Sequence, residues 1–277
     1  MKAMIFAAGM GTRLKPLTDS MPKALVPIAG RPLLAHVIEK LKSAGFNEFV
    51  INVHHFAGQI REYVRECGNF GVEVAFSDET DLLRETGGGI RHAATLLNDG
   101  EPFFVHNVDM LSNLDIEAFY KAHCEAVSNS TSADGGKGGS EEEVLATLLV
   151  SDRKTERYLL FDNDDNLVGW MNIKSGEVKS PFRELQRTPS SESGMWDYDS
   201  FLQEYGLRRF AFAGIHAISP QIFRLMGGEP DKFGIIPFYI SCCNRYKIKA
   251  FVAKDLKIVD VGKLDSLQMA EELASEL

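Results

Sequence analysis

The side chains best placed to do chemistry in this chain are two cations, a carboxylate and a glycine turn. Gly9-Met10-Gly11-Thr12-Arg13 carries two closely spaced glycines, which permit a tight turn and close approach of the main chain to a ligand. Main-chain N–H groups in such a turn suit phosphate oxygens. Arg13 and Lys23 add a planar fork and a point charge. Further on, the apolar run Pro102 to Val108 ends in Asp109. A carboxylate at the carboxyl end of a parallel strand lies on the rim where open sheets bind ligands. There it is able to hold Mg²⁺ against nucleotide phosphates. An N-cap for the turn at Ser112-Asn113 is the plain structural alternative for Asp109. The chemistry these residues suggest is the binding of a polyanionic, phosphate-bearing ligand.

Positioning these groups requires a sheet, and the pattern supplies one. Met4-Ile5-Phe6-Ala7-Ala8 has the length and apolarity of a strand buried on both faces. Apolar residues at 34, 37, 38 and 41 predict a helix from Leu33 to Ala44, closed by Gly45. Strands are expected at Phe49 to Val53, Val72 to Phe76 and Val144 to Val150, with helices at Gln59 to Cys67 and Ile116 to Ala126. This alternation predicts an α/β fold with a largely parallel sheet and helices on both faces. Tyr158 to Phe161 and Leu167 to Asn172 flank an acidic turn and predict a hairpin. Phe210 to Ile218 is a strand through Gly214, and Leu264 to Leu277 a closing helix. Arg84 to Ile90 contains three consecutive glycines. A flexible loop before a helix at Ile90 to Leu97 is one reading; a bare main-chain surface for a flat base is the preferred one. His54-His55 lacks neighbours at metal-ligand spacing and is expected to hydrogen-bond within its loop; His216 is expected in the core.

Spacing excludes two common phosphate motifs. A dinucleotide fingerprint needs a third glycine where Leu14 stands, and no Gly-Lys-Ser/Thr of a P-loop is present. Instead, Ala7-Ala8-Gly9-Met10-Gly11-Thr12-Arg13-Leu14-Lys15-Pro16-Leu17-Thr18, followed by Pro22-Lys23-Ala24-Leu25-Val26-Pro27, resembles the signature of the sugar-1-phosphate nucleotidyltransferases. Among these, the Glu-Thr-Gly-Gly-Gly segment looks most like the N-acetylmuramate-1-phosphate uridylyltransferase and mannose-1-phosphate guanylyltransferase group. The resemblance implies a three-layer, Rossmann-like α/β/α fold with a mixed, mostly parallel sheet. It implies one catalytic domain over 1–277, with a nucleotide-binding half at 1–115 and a sugar-phosphate half at 144–277. It implies transfer of a nucleotidyl group from an NTP, UTP or GTP, to a sugar 1-phosphate, with Mg²⁺. Arg13, Lys23 and Asp109 would be catalytic. Ala8, Gly9, Gly11, Thr12, Arg13, Glu85, Thr86, Gly87 and Gly88 would contact the nucleotide. Trp170, Asn172 and Gly214 would face the sugar, and Asp109 and Asp260 would hold the metal. Where the family has Gly-Asp this chain has Val108-Asp109, a departure. A phosphocholine cytidylyltransferase-like enzyme and a nucleotide-sugar-binding regulatory protein without turnover are the alternatives.

Composition narrows the rest. Of 277 residues, 44% are hydrophobic and 25% charged, ordinary for a globular chain. The formal net charge of −9 argues against nonspecific binding to nucleic acid or anionic membranes, so cations around a phosphate should be few and placed. No run of 18 apolar residues exists to span a membrane, and Ala3 to Ala8 is too short for a signal-peptide core. Cys67, Cys124, Cys242 and Cys243 show no metal spacing. Reduced thiols in a cytoplasmic protein are the expectation. The polar, low-complexity stretch 128–143 is expected to be a flexible insertion, and Pro181 to Tyr205 an irregular lid or second insertion.

Overall fold

The computed structural model describes residues 1–133, 143–188 and 196–277. Its centre is the strand Lys2–Phe6, in which Ala3, Met4 and Ile5 are fully buried. Alternating side chains of this strand enter two different cores. Ala3 and Ile5 join Leu34, Ile38 and Ile51 on one face, whereas Met4 joins Ile90, Val105 and Tyr239 on the other. That double burial is why the sequence runs apolar from Ala3 to Phe6.

Lys2–Phe6 pairs in parallel with Glu48–Val53 on one side and Phe103–Asn107 on the other, and Glu73–Asp78 extends the parallel half. The long strand Arg208–Ile218 then runs antiparallel to Phe103–Asn107. It also pairs with Val144–Ser151, which carries Lys247–Val252 in parallel, and with Arg157–Phe161, the first strand of the hairpin to Leu167–Asn172 and Glu177–Lys179. Of the ten strands in this sheet, Arg208–Ile218 and Leu167–Asn172 oppose the direction of the others. The sheet is therefore mixed and mostly parallel, with helices packed on both faces.

Arg208–Ile218 changes neighbours along its length, from Arg157–Phe161 to Phe103–Asn107. The change falls at Gly214, where the register with Val144–Ser151 shifts and φ is 72°. A left-handed residue at a bulge favours glycine. The closing helix Leu267–Glu276 returns to the first half and buries Ala270 and Leu273 in the core that contains Ile5.

Three segments differ from the sequence expectation. Glu85–His92 is a helix that includes the three glycines, not a loop. The helix expected to end at Ala126 continues to Ala133, and along this extension Ser128 and Ser130 donate their hydroxyls to the carbonyls of Cys124 and Val127. The remainder of the expected insertion, 134–142, lies outside the described residues. Within the segment expected to be irregular, Arg183–Leu185 forms a short turn and Tyr198–Glu204 a helix, while 189–195 lies outside the described residues. No helix among the described residues is long and apolar enough to cross a membrane.

Candidate nucleotide site

A cavity of about 380 Å³ opens at the carboxyl ends of the parallel strands, lined by the 9–13 turn, Lys23, Asn52, Glu79, Glu85, Thr86, Asp109 and Gly262, among others. The turn is fixed from below. Gly11 has φ 64°, and a Cβ there would stand 2.8 Å from Thr18 Cγ2 and 3.2 Å from Lys23 Cβ, so both conformation and space require glycine. Thr18 Oγ1 donates to the Gly11 carbonyl at 2.8 Å. At Gly9 a Cβ would meet nothing within 4 Å, leaving that side of the turn open.

Asn52 clamps the entry to the turn. Its Oδ1 accepts from the N–H groups of Ala7, at 2.7 Å, and Ala8, at 3.2 Å. Its Nδ2 donates to Glu79 Oε1 at 2.9 Å, and Glu79 Oε2 accepts from Arg84 N–H at 3.0 Å. Glu79 is fully buried, so its charge depends on these donors. This pair ties the glycine turn to the start of the Glu85–His92 helix. Neither residue stands out in the sequence beyond being polar at the edge of an apolar run.

Lys23 is 8% exposed and ion-pairs with Asp109. Asp109 lies two residues beyond the Phe103–Asn107 strand, and its carbonyl accepts from Val261 N–H at 2.8 Å. Met110–Ser112 pairs antiparallel with Ile258–Asp260, setting Asp260 opposite Met110. The two carboxylates, 151 positions apart in sequence numbering, thus leave adjoining strand ends. Asp260 Oδ1 is buried without a hydrogen-bond partner. A Cβ on Gly262 would fall 2.7 Å from that oxygen and 2.8 Å from an Arg13 guanidinium nitrogen. Arg13 and Asp260 therefore converge on one point, and only glycine fits between them. Val108 is buried in the core beneath, its N–H donating to the Phe6 carbonyl at 3.1 Å.

The glycine-rich helix meets the cavity through Glu85 and Thr86. Thr86 Oγ1 accepts from Ile235 N–H at 2.9 Å. Gly87 and Gly88 sit behind it, donating their N–H groups to the Phe233 carbonyl at 2.9 and 3.0 Å. A Cβ on Gly87 would collide with the Phe233 ring, and one on Gly88 with the Asp231 carbonyl. Close packing against 231–233 accounts for both glycines.

The residues expected around a sugar are dispersed. Trp170 lines a second cavity. Asn172 Oδ1 accepts from the N–H groups of Lys174 and Ser175 at 2.9 and 3.1 Å and closes the hairpin turn. Gly214 faces Asn107, which lines the first cavity; a Cβ on Gly214 would stand 2.5 Å from Asn107 Nδ2. His54 donates from Nδ1 to the Glu79 carbonyl at 2.6 Å, and buried His216 shares a 2.8 Å hydrogen bond with the Tyr239 hydroxyl. Beneath the site, burial pushes His106 down to about 4 and lowers Lys40, whose ammonium donates to the Ser112 carbonyl.

Among the described residues no group of three or more His, Cys, Asp or Glu side chains is placed to hold a metal. Two carboxylates, one with an orphaned buried oxygen, are what a Mg²⁺ site shared with phosphates and water requires of a protein. The donor set fits that ion.

A glycine turn beside Arg13, the Lys23–Asp109 pair and Asp260, at the carboxyl ends of the parallel strands of an α/β sheet, is an arrangement suited to a phosphate-bearing ligand. The nucleotidyl transferase family model matches residues 2–143, just over half of the sequence, and the chain belongs to that family. It is 44% identical over 111 residues to the N-acetylmuramate alpha-1-phosphate uridylyltransferase of Caulobacter vibrioides, covering 39% of this chain and 46% of that protein. It is 41% identical over 127 residues to the catalytic subunit beta of Dictyostelium discoideum mannose-1-phosphate guanylyltransferase, covering 44% and 35%. The matches thus span half or less of these relatives. The fold is that of a UDP-glucose pyrophosphorylase solved with UDP-glucose, at a TM-score of 0.68 and 17% identity over 99% of this chain and 98% of that one.

Proposed function

We propose that the protein transfers a nucleotidyl group from UTP or GTP to a sugar 1-phosphate, releasing pyrophosphate. One observation carries this reading: Arg13, the Lys23–Asp109 pair and the unpartnered Asp260 oxygen gather beside a glycine turn built for phosphate. The family's relatives named for uridylyl and guanylyl transfer support it.

The attacking oxygen of a sugar 1-phosphate is already anionic at neutral pH, so the reaction needs alignment and charge neutralisation in place of a general base. The N–H groups of the 9–13 turn hold the triphosphate. Arg13 holds the departing pyrophosphate by paired hydrogen bonds. Lys23, pre-set by Asp109, stands beside the α-phosphate and the incoming phosphate. Asp109 and Asp260 would hold Mg²⁺, which supplies further positive charge against the phosphates when bound. Within this single domain we assign 1–115 to the nucleotide and 144–277 to the acceptor. In support, the first cavity is lined by residues up to Asp109 plus Gly262, and the second by residues from Arg153 to Ile240.

The test is pyrophosphate release with Mg²⁺, screening four NTPs against sugar 1-phosphates and phosphocholine, with Asp109→Asn as control. Release from UTP or GTP with a sugar 1-phosphate, lost in the variant, is the expected result. Release with phosphocholine alone moves the protein to the cytidylyltransferase-like class. NTP binding with no release from any pair refutes turnover and leaves a binding protein.

A further inference from the structure

Asn107 carries an amide that no structural hydrogen bond accounts for. It ends the strand Phe103–Asn107, in register with Phe6, and lines the nucleotide cavity two residues before Asp109. An asparagine at the end of a strand commonly serves the main chain, because its amide can bond neighbouring N–H and C=O groups. Asn52, Asn113 and Asn172 do so in this protein. The Asn107 amide makes no hydrogen bond to any of the described residues. Packing holds it instead. A Cβ on Gly214 would stand 2.5 Å from the amide nitrogen, 3.0 Å from Cγ and 3.5 Å from Cβ of Asn107. The side chain thus lies flat on bare main chain at the Gly214 bulge, fixed in place with its donors and acceptor unused. A polar group restrained in this way beside a cavity is pre-organised for a ligand.

Its position says which ligand. Side chains two residues apart on a strand share a face, so Asn107 lies on the side of Val105. The core on that side also contains Phe212, Trp170 and Ile240, which line the second cavity, of about 540 Å³. Phe212 and Gly214 are two residues apart on one strand, which therefore leads from the second cavity to the slot that holds Asn107. Across the sheet the strand Phe103–Asn107 lies between Arg208–Ile218 and Lys2–Phe6, with Glu48–Val53 and Glu73–Asp78 beyond. The glycine turn follows Lys2–Phe6, and Asn52, Glu79 and the Glu85–His92 helix stand on its far side. Asn107 stands on its near side, between the second cavity and Asp109. An amide both donates and accepts and carries no charge, so it pairs through both functions with a hydroxyl or an acylamino group. In a sugar 1-phosphate the polar groups nearest the phosphate are the ring oxygen, which only accepts, and the C2 substituent, which does both.

We propose that Asn107 contacts the sugar, its amide hydrogen-bonding the C2 substituent and so orienting the 1-phosphate for attack beside Asp109. This rests on the sugar-1-phosphate reading above. It makes Asn107, and not the Gly214 beneath it, the polar contact at this point, and it gives the nucleotide half of the chain a residue that serves the sugar.

The test takes the fastest substrate among glucose, mannose, N-acetylglucosamine and N-acetylmuramate 1-phosphates and compares it with its 2-deoxy analogue, in wild type and in Asn107→Ala. With the C2 substituent present, Asn107→Ala should lower kcat/KM for the sugar by about 10-fold. The 2-deoxy analogue should cost the wild type a similar factor and should remove the difference between wild type and variant. UTP and GTP affinities, read by calorimetry with Mg²⁺ and no sugar, should not change. The melting temperature should hold, since the amide makes no hydrogen bond within the described fold. Asn107→Ala equal to wild type, an equal loss with both sugars, or weakened nucleotide binding overturns the inference while leaving the transferase intact. No turnover by the wild type with any of the four sugars overturns the sugar-1-phosphate reading, and this inference with it.

Discussion

Replacing Asn52 by alanine should loosen the glycine turn without altering Arg13, Lys23 or the residues of the turn itself. The side chain is 1% exposed and makes three hydrogen bonds, two accepted from Ala7 and Ala8 N–H and one donated to Glu79. Its loss leaves two buried donors and one carboxylate oxygen unpaired, each costing about 1–3 kcal/mol. Asn52 also lines the cavity, so water enters the vacated space and restores part of this. The net expectation is a destabilisation of about 3 kcal/mol, read from urea unfolding as a lower midpoint at unchanged slope. NTP affinity, read by calorimetry, should fall by at least about 10-fold, since the turn's N–H groups no longer point together. Asn52→Asp separates the two roles. It keeps the acceptor for Ala7 and Ala8 but sets a carboxylate against Glu79. The two buried carboxylates repel one another, so Asn52→Asp should be less stable than wild type at neutral pH although the turn keeps its acceptor. A loss under about 1 kcal/mol in Asn52→Ala, or weakened stability with unchanged NTP affinity, would refute the clamp.

Asp260→Asn removes a carboxylate with an unpartnered buried oxygen. Its melting temperature should hold or rise while pyrophosphate release drops by at least about 100-fold; a parallel loss of both would assign Asp260 to structure. Gly214→Ala places a Cβ 2.5 Å from Asn107 Nδ2 at φ 72°. It should destabilise by roughly 1–3 kcal/mol and raise KM as Asn107 is displaced from the cavity; denaturant unfolding and steady-state kinetics check both. Burial holds His106 and His123 down at about 4 and His216 at about 3. These groups stay neutral in the fold while the unfolded chain takes up protons below about 6.5. Their contribution is complete above about pH 7 and is lost as pH falls, by roughly 2 kcal/mol per histidine at pH 5. Unfolding free energies measured from pH 7.5 to 5 should show this slope, and a flat profile would contradict it. Burial pushes the Cys242 and Cys243 thiols up to about 12, whereas Cys67 is exposed. Iodoacetamide at pH 8 should label Cys67 first, by mass spectrometry, with the adjacent pair reacting only on unfolding.

Elements whose side chains obey one period were legible in the sequence. Lys2–Phe6, Glu48–Val53 and the Leu33–Ser43 helix lie within a residue or two of their expected bounds because burial alone dictates their pattern. The Glu85–His92 helix was not, since three glycines weigh against helix wherever propensity is the only guide. Tertiary packing overrides that weight: Phe233 and Asp231 come so close that no larger residue fits at Gly87 or Gly88, and the Phe233 carbonyl bonds both N–H groups. The candidate site divides in the same way. Arg13, Lys23 and Asp109 announce themselves as charges next to a glycine turn or at the end of an apolar strand. Asn52 and Glu79 do not, because their function is to satisfy one another and the main chain, and a buried polar pair has no period. Their partners are set by the parallel pairing of Glu48–Val53 with Glu73–Asp78, which brings residue 52 beside residue 77 and residue 79 just past the strand end. A group that binds ligand must be chemically distinctive, whereas one that holds it in place need only complete a hydrogen-bond set. The positioning half of this site is therefore visible only once the strands are in register.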